Sequence, residues 1–433
     1  MKNYKTNFIE LNFSSPPLFE PGRMMKRTLF THFATFVINI ISRNKIIIRT
    51  TIFAILVLFG FASCISNQNT NPEKTIPAKA SYNTNLVSCG EKLSIDIDSK
   101  TVNRSICMIP YVAPDSSEYL FYLNGQGNDI YIFNLDSAKV VKTIKLASDG
   151  PDGVGSMVRG FEVLNLDSLY ITSAFMRKLY LVNSDGKLLS KIDYSKYKQD
   201  YHILAGNTWT FDNARLGFKD GLIYLPFYTG YDEGHYKNIL VEDIRTIAVL
   251  DTCNKTAGTI NFGYPKDFWQ DNFHPLYFGF FIYKETFFIN YCSDNRIMVS
   301  KDSENWDAYV IQSKFADVKQ VVPPEKGRGA DYARLVADPF RDIFYRFVLH
   351  EQINLKDRVI TDLARYPQKF SIIILDKNLN IIGETLFPED TYDANGYFIT
   401  KDGLYLSLSN PFNPDYNIDK LEFQLFKLQQ NEK

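Results

Sequence analysis

The sequence predicts an all-β fold, a six-bladed β-propeller whose last blade is closed by an N-terminal strand. Three observations carry this expectation. From about residue 90 onward, apolar runs of strand length alternate with turn signals at intervals of roughly eight to fifteen residues, with almost no helical period. The composition favours strand formers, with 34 Phe and 27 Tyr, and a hydrophobic fraction of 45% supplies a core and excludes disorder for most of the chain. Divided by six, the 339 residues from Gly90 to Leu428 give units of about 56, a blade length with some long loops. A pair of β-sandwich domains is the competing architecture.

Residues 1–63 read as a leader. Arg43-Asn44-Lys45-Ile46-Ile47-Ile48-Arg49 forms a basic n-region, and residues 50–61 form an apolar h-region of signal-peptide length, too short to span a bilayer well. The following Phe61-Ala62-Ser63-Cys64 resembles a bacterial lipobox, with Phe61 where that pattern usually has Leu. Cleavage there would leave Cys64 as an acylated N-terminus, so the expected partner is a membrane, reached through a lipid anchor at Cys64. An uncleaved anchor is the alternative, because residues 28–42 are also apolar. Arg43, Lys45 and Arg49 interrupt the two runs and argue against a single span. Residues 64–89 are polar and turn-rich at their start and are expected to be a tether. No acidic run follows Cys64, which tilts the location towards the periplasmic side of the envelope.

The propeller is expected over 90–430. Unit one spans strands at 105–112, 118–124, 129–135 and 140–146. Unit two has 158–165, 168–173, 178–183 and 188–193, with Ser184-Asp185-Gly186-Lys187 as a hairpin connection. Unit three has 215–219, 222–227, 246–251 and 258–262, with an insertion over 228–243. Unit four has 277–283, 286–291, 296–301 and 308–312, and unit five has 332–337, 343–349, 370–376 and 381–386. Unit six has only 396–400, 404–408 and 421–428. Its fourth strand is supplied most simply by 92–98, which would close the ring and remove a free sheet edge.

The motif Ile130-Tyr131-Ile132-Phe133-Asn134-Leu135, the loop Asp149-Gly150-Pro151-Asp152-Gly153-Val154-Gly155, and then Gly160-Phe161 and Asp167-Ser168-Leu169-Tyr170 make this chain resemble the uncharacterised six-bladed β-propeller lipoproteins of Bacteroidetes. The resemblance implies an architecture and an envelope location. It brings no catalytic residues with it.

Charge excludes one class of partner. The chain holds 48 Lys and Arg against 49 Asp and Glu, but eight basic and two acidic residues fall within 1–63, leaving 40 against 47 downstream. A nucleic-acid partner is not expected, since such proteins carry a basic footprint. The signatures HExxH, GxSxG, GxxxxGK[ST] and CxxC are absent, and no metal or cofactor is expected. Cys89, Cys107, Cys253 and Cys292 allow disulfides in an oxidising compartment, with Cys89–Cys107 the local pairing, and buried free thiols are the equal alternative. The Asp149–Gly155 loop lacks the Lys of a phosphate loop and fits a tight inter-blade connection.

Aligning the first strands places Arg159, Arg215 and Arg334 at equivalent positions, with Arg104 as a fourth candidate. First strands line a propeller channel, so these guanidiniums are expected near one rim, where they would favour a carboxylate or phosphate. Pairing with blade carboxylates such as Glu162 or Asp331 is the structural alternative. Aromatic insertions carrying Tyr231, His235, Trp269 and His274 form a second candidate, a platform for a sugar, with packed loops as the alternative. Acidic pairs such as Asp149 with Asp152 are assigned to surface solvation. The functional expectation is an envelope lipoprotein that binds a small anionic or carbohydrate ligand or a protein partner. The alternatives are a glycan hydrolase or lyase using His235 or His274, and a non-catalytic scaffold.

Overall fold

The computed structural model describes residues 72–199, 201–227, 244–265, 268, 277–292, 294–317, 327–353 and 366–431. The chain divides into Met1–Asn67 and Gln68–Lys433, and every described residue lies in the second unit. That unit is all-β, with a single turn of 3-10 helix at Tyr194–Lys196 among the described residues.

Consecutive antiparallel strands build four separate sheets. The first is Met108–Val112, Glu118–Leu123, Ile130–Asn134 and Lys139–Ile144. The second is Val158–Asn165, Ser168–Ser173, Leu179–Val182 and Leu188–Ile192. The third is Gly217–Lys219, Leu222–Pro226, Ile247–Asp251 and Thr256–Thr259, and the fourth is Phe278–Tyr283, Thr286–Tyr291, Arg296–Ser300 and Asp307–Val310. The fifth sheet has eight strands in the spatial order Asp331–Asp338, Ile343–Leu349, Phe370–Leu375, Ile381–Leu386, Ala80–Asp96, Lys420–Gln430, Leu404–Ser407 and Asp393–Ile399.

Apolar side chains pack between successive sheets all the way round. Phe121 and Phe161 join the first sheet to the second, and Leu179 and Leu250 the second to the third. Tyr224 and Phe280 join the third to the fourth, and Phe288 and Phe344 the fourth to the fifth. Tyr122 and Phe423 then return from the fifth sheet to the first. The arrangement is therefore propeller-like, a ring of sheets with its core in the interfaces. A further buried cluster, including Phe347, Ile372, Leu404 and Phe426, packs one half of the eight-stranded sheet on the other.

The expected tether is corrected by this topology. Within 64–89, Lys74–Pro77 pairs in parallel with Asp307–Val310, and Ala80–Asp96 pairs with both Ile381–Leu386 and Lys420–Gln430. Ser, Thr and Asn residues look like linker in sequence, but an outer strand needs backbone hydrogen bonds and little apolar surface. Lys198–Gln199 does the same for the third sheet, in parallel with Thr256–Thr259. These additions cover outer edges that would otherwise present unpaired N–H and C=O groups.

The centre of the ring holds one connection, residues 206–214. Asn207 N donates to Pro226 O at 2.8 Å in the third sheet, and Thr208 Oγ1 lies 2.9 Å from Thr172 Oγ1 in the second. Met108 N, in the first, donates to Thr210 Oγ1 at 2.9 Å. Phe280 N, in the fourth, donates to Asn213 O at 3.1 Å, while Asn213 Nδ2 donates to Leu335 O at 2.6 Å and Tyr397 OH to Thr210 O at 2.9 Å in the fifth. The nine-residue connection thus bonds to each of these five sheets. Glycine permits the approach: a Cβ on Gly160 would sit 2.1 Å from Thr208 O, and one on Gly279 would sit 2.4 Å from Asp212 O.

Candidate binding cleft

The three first-strand arginines share a sequence position but not an environment. Arg215 makes a bidentate fork with Glu162, Nε to Oε2 at 2.9 Å and Nη2 to Oε1 at 2.5 Å. Burial alone would lower its pKa, but the Glu162 carboxylate more than reverses this and the guanidinium is held charged. Arg334 is 1% exposed and lies 5.4 Å from the Phe211 ring centre, 5.1 Å from Phe347 and 5.4 Å from Tyr397. Its Nη1 donates to Ala394 O and its Nη2 to Asn395 Oδ1 at 2.6 Å. Arg104, the fourth candidate, stacks 4.6 Å from the Tyr366 ring centre and pairs with Asp393 at 3.5 Å. Burial raises the Asp393 pKa, and the nearby Arg104 and Arg334 pull it back.

The shared arginine rim does not form. Arg215 lines a cavity of about 250 Å³ with Met108, Thr210, Phe340 and Tyr397, and Arg334 is enclosed in the aromatic cage. The 206–214 connection runs among them, and Arg104 and Arg334 both stack on its Phe211, 5.9 and 5.4 Å from the ring centre.

Arg159 is different. It is only partly buried, and no hydrogen bond or ion pair joins its guanidinium to another of the described residues. Its neighbour Gly160 faces the central connection, and the register with the next strand shifts between Val158 and Gly160, so Arg159 sits at an irregularity of the strand beside that connection. There it lines a cleft of about 500 Å³ with Phe175, Arg177, Asn207, Trp209 and Tyr277. Burial lowers the Arg159 pKa from the ordinary arginine value, so a partner anion would be favoured there.

Three further features make the cleft unusual. Phe175 is 71% exposed and has φ 62°, the left-handed region, within a turn closed by Met176 N to Ser173 O at 3.3 Å. A bulky residue at positive φ is strained, and an exposed Phe gains no core contact to offset it. Arg177 Nη2 donates to Gln199 Oε1 at 2.5 Å, while its Nε is buried with no hydrogen-bond partner. Asn207 Oδ1 is buried and unpartnered as well. Buried polar atoms without partners are costly and uncommon, and both belong to residues that line the cleft.

Sequence reasoning reached Arg159 and missed Arg177, Asn207, Trp209, Phe175 and Tyr277. One signal was available: the stretch between the second and third units, from Ile192 to Gly217, is longer than an ordinary connection, and such loops are commonly functional. Of the remaining expected site residues, Cys64, Tyr231, His235, Trp269 and His274 lie outside the described residues. Cys89, Cys107, Cys253 and Cys292 are free thiols, and burial pushes the Cys107 thiol up to about 12. Among the described residues no group of three His, Cys, Asp or Glu side chains converges as a metal site, and no helix is long and apolar enough to cross a membrane.

Fold and cleft together define a propeller-like all-β protein with a cleft of about 500 Å³ beside its central connection. The chain belongs to the family described as Domain of unknown function (DUF4221), whose model matches residues 83–386. It is similar to the crystal structure of a member of that family from Bacteroides vulgatus, with 22% sequence identity, a TM-score of 0.70, and coverage of 81% of this chain and 100% of the other. That likeness is one of fold. A Bacteroides fragilis protein matches at 12% identity and a TM-score of 0.47, covering 83% of this chain and 99% of its own. The Dos1 propeller matches at 12% identity and a TM-score of 0.34, over 78% of this chain and 74% of its own. No curated protein matches the sequence.

Proposed function

We propose that the protein is a non-enzymatic binding module of the cell envelope, held to a membrane through Cys64, whose cleft takes a small anionic ligand on Arg159. The observation that carries the binding reading is the contrast among the arginines: Arg215 is forked on Glu162 and Arg334 donates through both terminal nitrogens to Ala394 and Asn395, whereas Arg159 lines a cleft with no such partner among the described residues. An unpaired, partly desolvated guanidinium favours an anion that it can hold by a bidentate fork. The test is thermal unfolding of a chain starting after Cys64, in acetate, sulfate and phosphate at constant ionic strength. A ligand at a hundredfold excess over Kd stabilises by about 2.7 kcal/mol, a shift of a few degrees. Anion-dependent stabilisation that survives Arg159→Met would refute the reading.

The ring is proposed to consist of six four-stranded blades. Two features support dividing the eight-stranded sheet in half. Ala80–Asp96 pairs with Ile381–Leu386 at only Ala80↔Ile381 and Thr84↔Gly383, while its antiparallel register with Lys420–Gln430 runs from Thr84↔Gln430 to Asp96↔Lys420. The buried cluster of Phe347, Leu404 and Phe426 packs between the halves as it does between separate sheets. The second half would then be the last blade, completed by the N-terminal strand. Removing residues 72–98 should abolish cooperative unfolding, and a chain that still unfolds in one sharp transition would count against closure. The anchor is supported by the basic and apolar run ending in Ala62-Ser63-Cys64. Cys64→Ala should release the protein from membranes, and an unchanged membrane fraction would remove it.

A further inference from the structure

We infer that the ligand of the Arg159 cleft is a ring-bearing monocarboxylate with a hydroxyl or amino hydrogen on the ring, an inference that rests on the anion reading above. The lining sets each part of this description. A cleft of about 500 Å³ lies in the size range of small-molecule sites, roughly 300–1,000 Å³, and has room for more than a bare ion. Its walls include Phe175, Trp209 and Tyr277, together with Leu204 and Ala205, so most of the ligand's surface must be able to lie against rings and apolar groups. The flat face of a sugar or an aromatic ring meets that requirement, as an acyclic polyanion does not.

The charge follows from a count of partners. Among the described residues no Asp or Glu lines the cleft, and of its two arginines Arg177 donates to Gln199 while Arg159 has no partner. One free guanidinium matches one carboxylate in a bidentate fork, with the buried Arg177 Nε as an additional donor. A phosphate dianion, which offers no flat apolar face, would give up more hydration against these walls than a carboxylate carried on a ring. Asn207 lines the cleft and its Oδ1 has no donor among the described residues, so a turn of this carboxamide towards the cleft would reward a ligand that brings a hydrogen. The strained, exposed Phe175 lies at the same cleft, which fits a ring held in place to cover the ligand.

A uronic acid and a hydroxylated aromatic acid share this chemistry, and titration calorimetry separates them. The probes are glucuronate and 4-hydroxybenzoate, with glucose and phenol as neutral counterparts, benzoate lacking the donor, and acetate lacking the ring. One of the two ring acids should bind at least tenfold more tightly than acetate and than its own neutral counterpart. Preference for glucuronate assigns a sugar-acid source, and preference for 4-hydroxybenzoate an aromatic one. Arg159→Lys should weaken binding about tenfold and Arg159→Met more, consistent with about 1.5–3 kcal/mol for hydrogen bonds to charge. Asn207→Ala should lower the affinity for the preferred acid, and Phe340→Ala, in the other cavity, should leave it within twofold. Quenching of tryptophan fluorescence that disappears in Trp209→Phe would place the ligand at this wall. If acetate binds as tightly as either ring acid, and does so through Arg159, the ring class is wrong and the anion site remains. If no anion binds, or binding ignores Arg159→Met, both readings fall.

Discussion

The centre of the ring and the cleft beside it solve the problem of a buried arginine in opposite ways. At the centre, Arg334 is enclosed by Phe211, Phe347 and Tyr397 and donates to Ala394 O and Asn395, and Arg215 is forked on Glu162. In the cleft, Arg159 has no such protein partner among the described residues, Asn207 Oδ1 and Arg177 Nε are unsatisfied, and Phe175 is strained and exposed. At the centre Arg334 Nε is unpartnered too, so the contrast rests on the guanidinium as a whole: both terminal nitrogens of Arg334 are bonded to protein, and none of Arg159's is bonded to a described residue. The difference shows that residue type at a repeated position does not define a site; the partner that reaches it does.

The largest expected effect lies at the centre. Arg334→Met should destabilise the protein by about 4 kcal/mol, because it removes a buried charge from a hydrogen-bonded cage and leaves Asp393 with one cation fewer. Arg159→Met should move the urea midpoint by less than about 0.5 kcal/mol equivalent. Equal losses in the two variants would break the comparison. Gly160→Ala comes next, at about 3 kcal/mol, since its Cβ would meet the backbone of Thr208, with Gly127→Ala as a control whose Cβ meets nothing within 4 Å.

A third effect is pH dependence from the packed region. His350 is 6% exposed, with Nε2 2.9 Å from Ser371 Oγ, which in turn donates to Glu384 at 2.6 Å. Burial first, and then the charge of Lys369, lower its pKa to about 4 from 6.5. The unfolded chain therefore takes up the proton first, and stability present above pH 6.5 is lost as the pH falls towards about 4, by roughly 3 kcal/mol in all. Urea midpoints at pH 7.5, 5.5 and 4.5 should show this slope, and His350→Asn should flatten it. The smallest effect sharpens the contrast from the cleft side. Phe175→Gly should gain about 0.5–1 kcal/mol by relieving the left-handed backbone while weakening ligand binding. A loss of stability there would mean that Phe175 packs rather than waits.

Much of this architecture was legible beforehand. Strand positions in the first two units agree with the structure to within a few residues, because alternating apolar side chains and Gly or Asp turns are local signals. The pairing of residues near 92 with the last strand was also foreseen, since an odd number of strands in the final unit leaves an edge to be covered. The role of Lys74–Pro77 was hidden, because a polar outer strand and a linker have the same composition. Within the cleft, Arg159 was visible as one of a repeated series, whereas Trp209 and Asn207 sit on a connection without periodicity.

The sequence by itself determined the class of fold, the approximate strand positions of the first four sheets and the set of arginines worth comparing, since these depend on patterns over a few neighbouring residues. Only the tertiary structure decided that residues 206–214 fill the centre, that Arg215 meets Glu162 and Arg334 an aromatic cage, and that Arg159 meets neither. The physical reason is range. Hydrogen bonds and desolvation are set by groups from distant parts of the chain, and the environment of a charge exists only once those parts have been brought together.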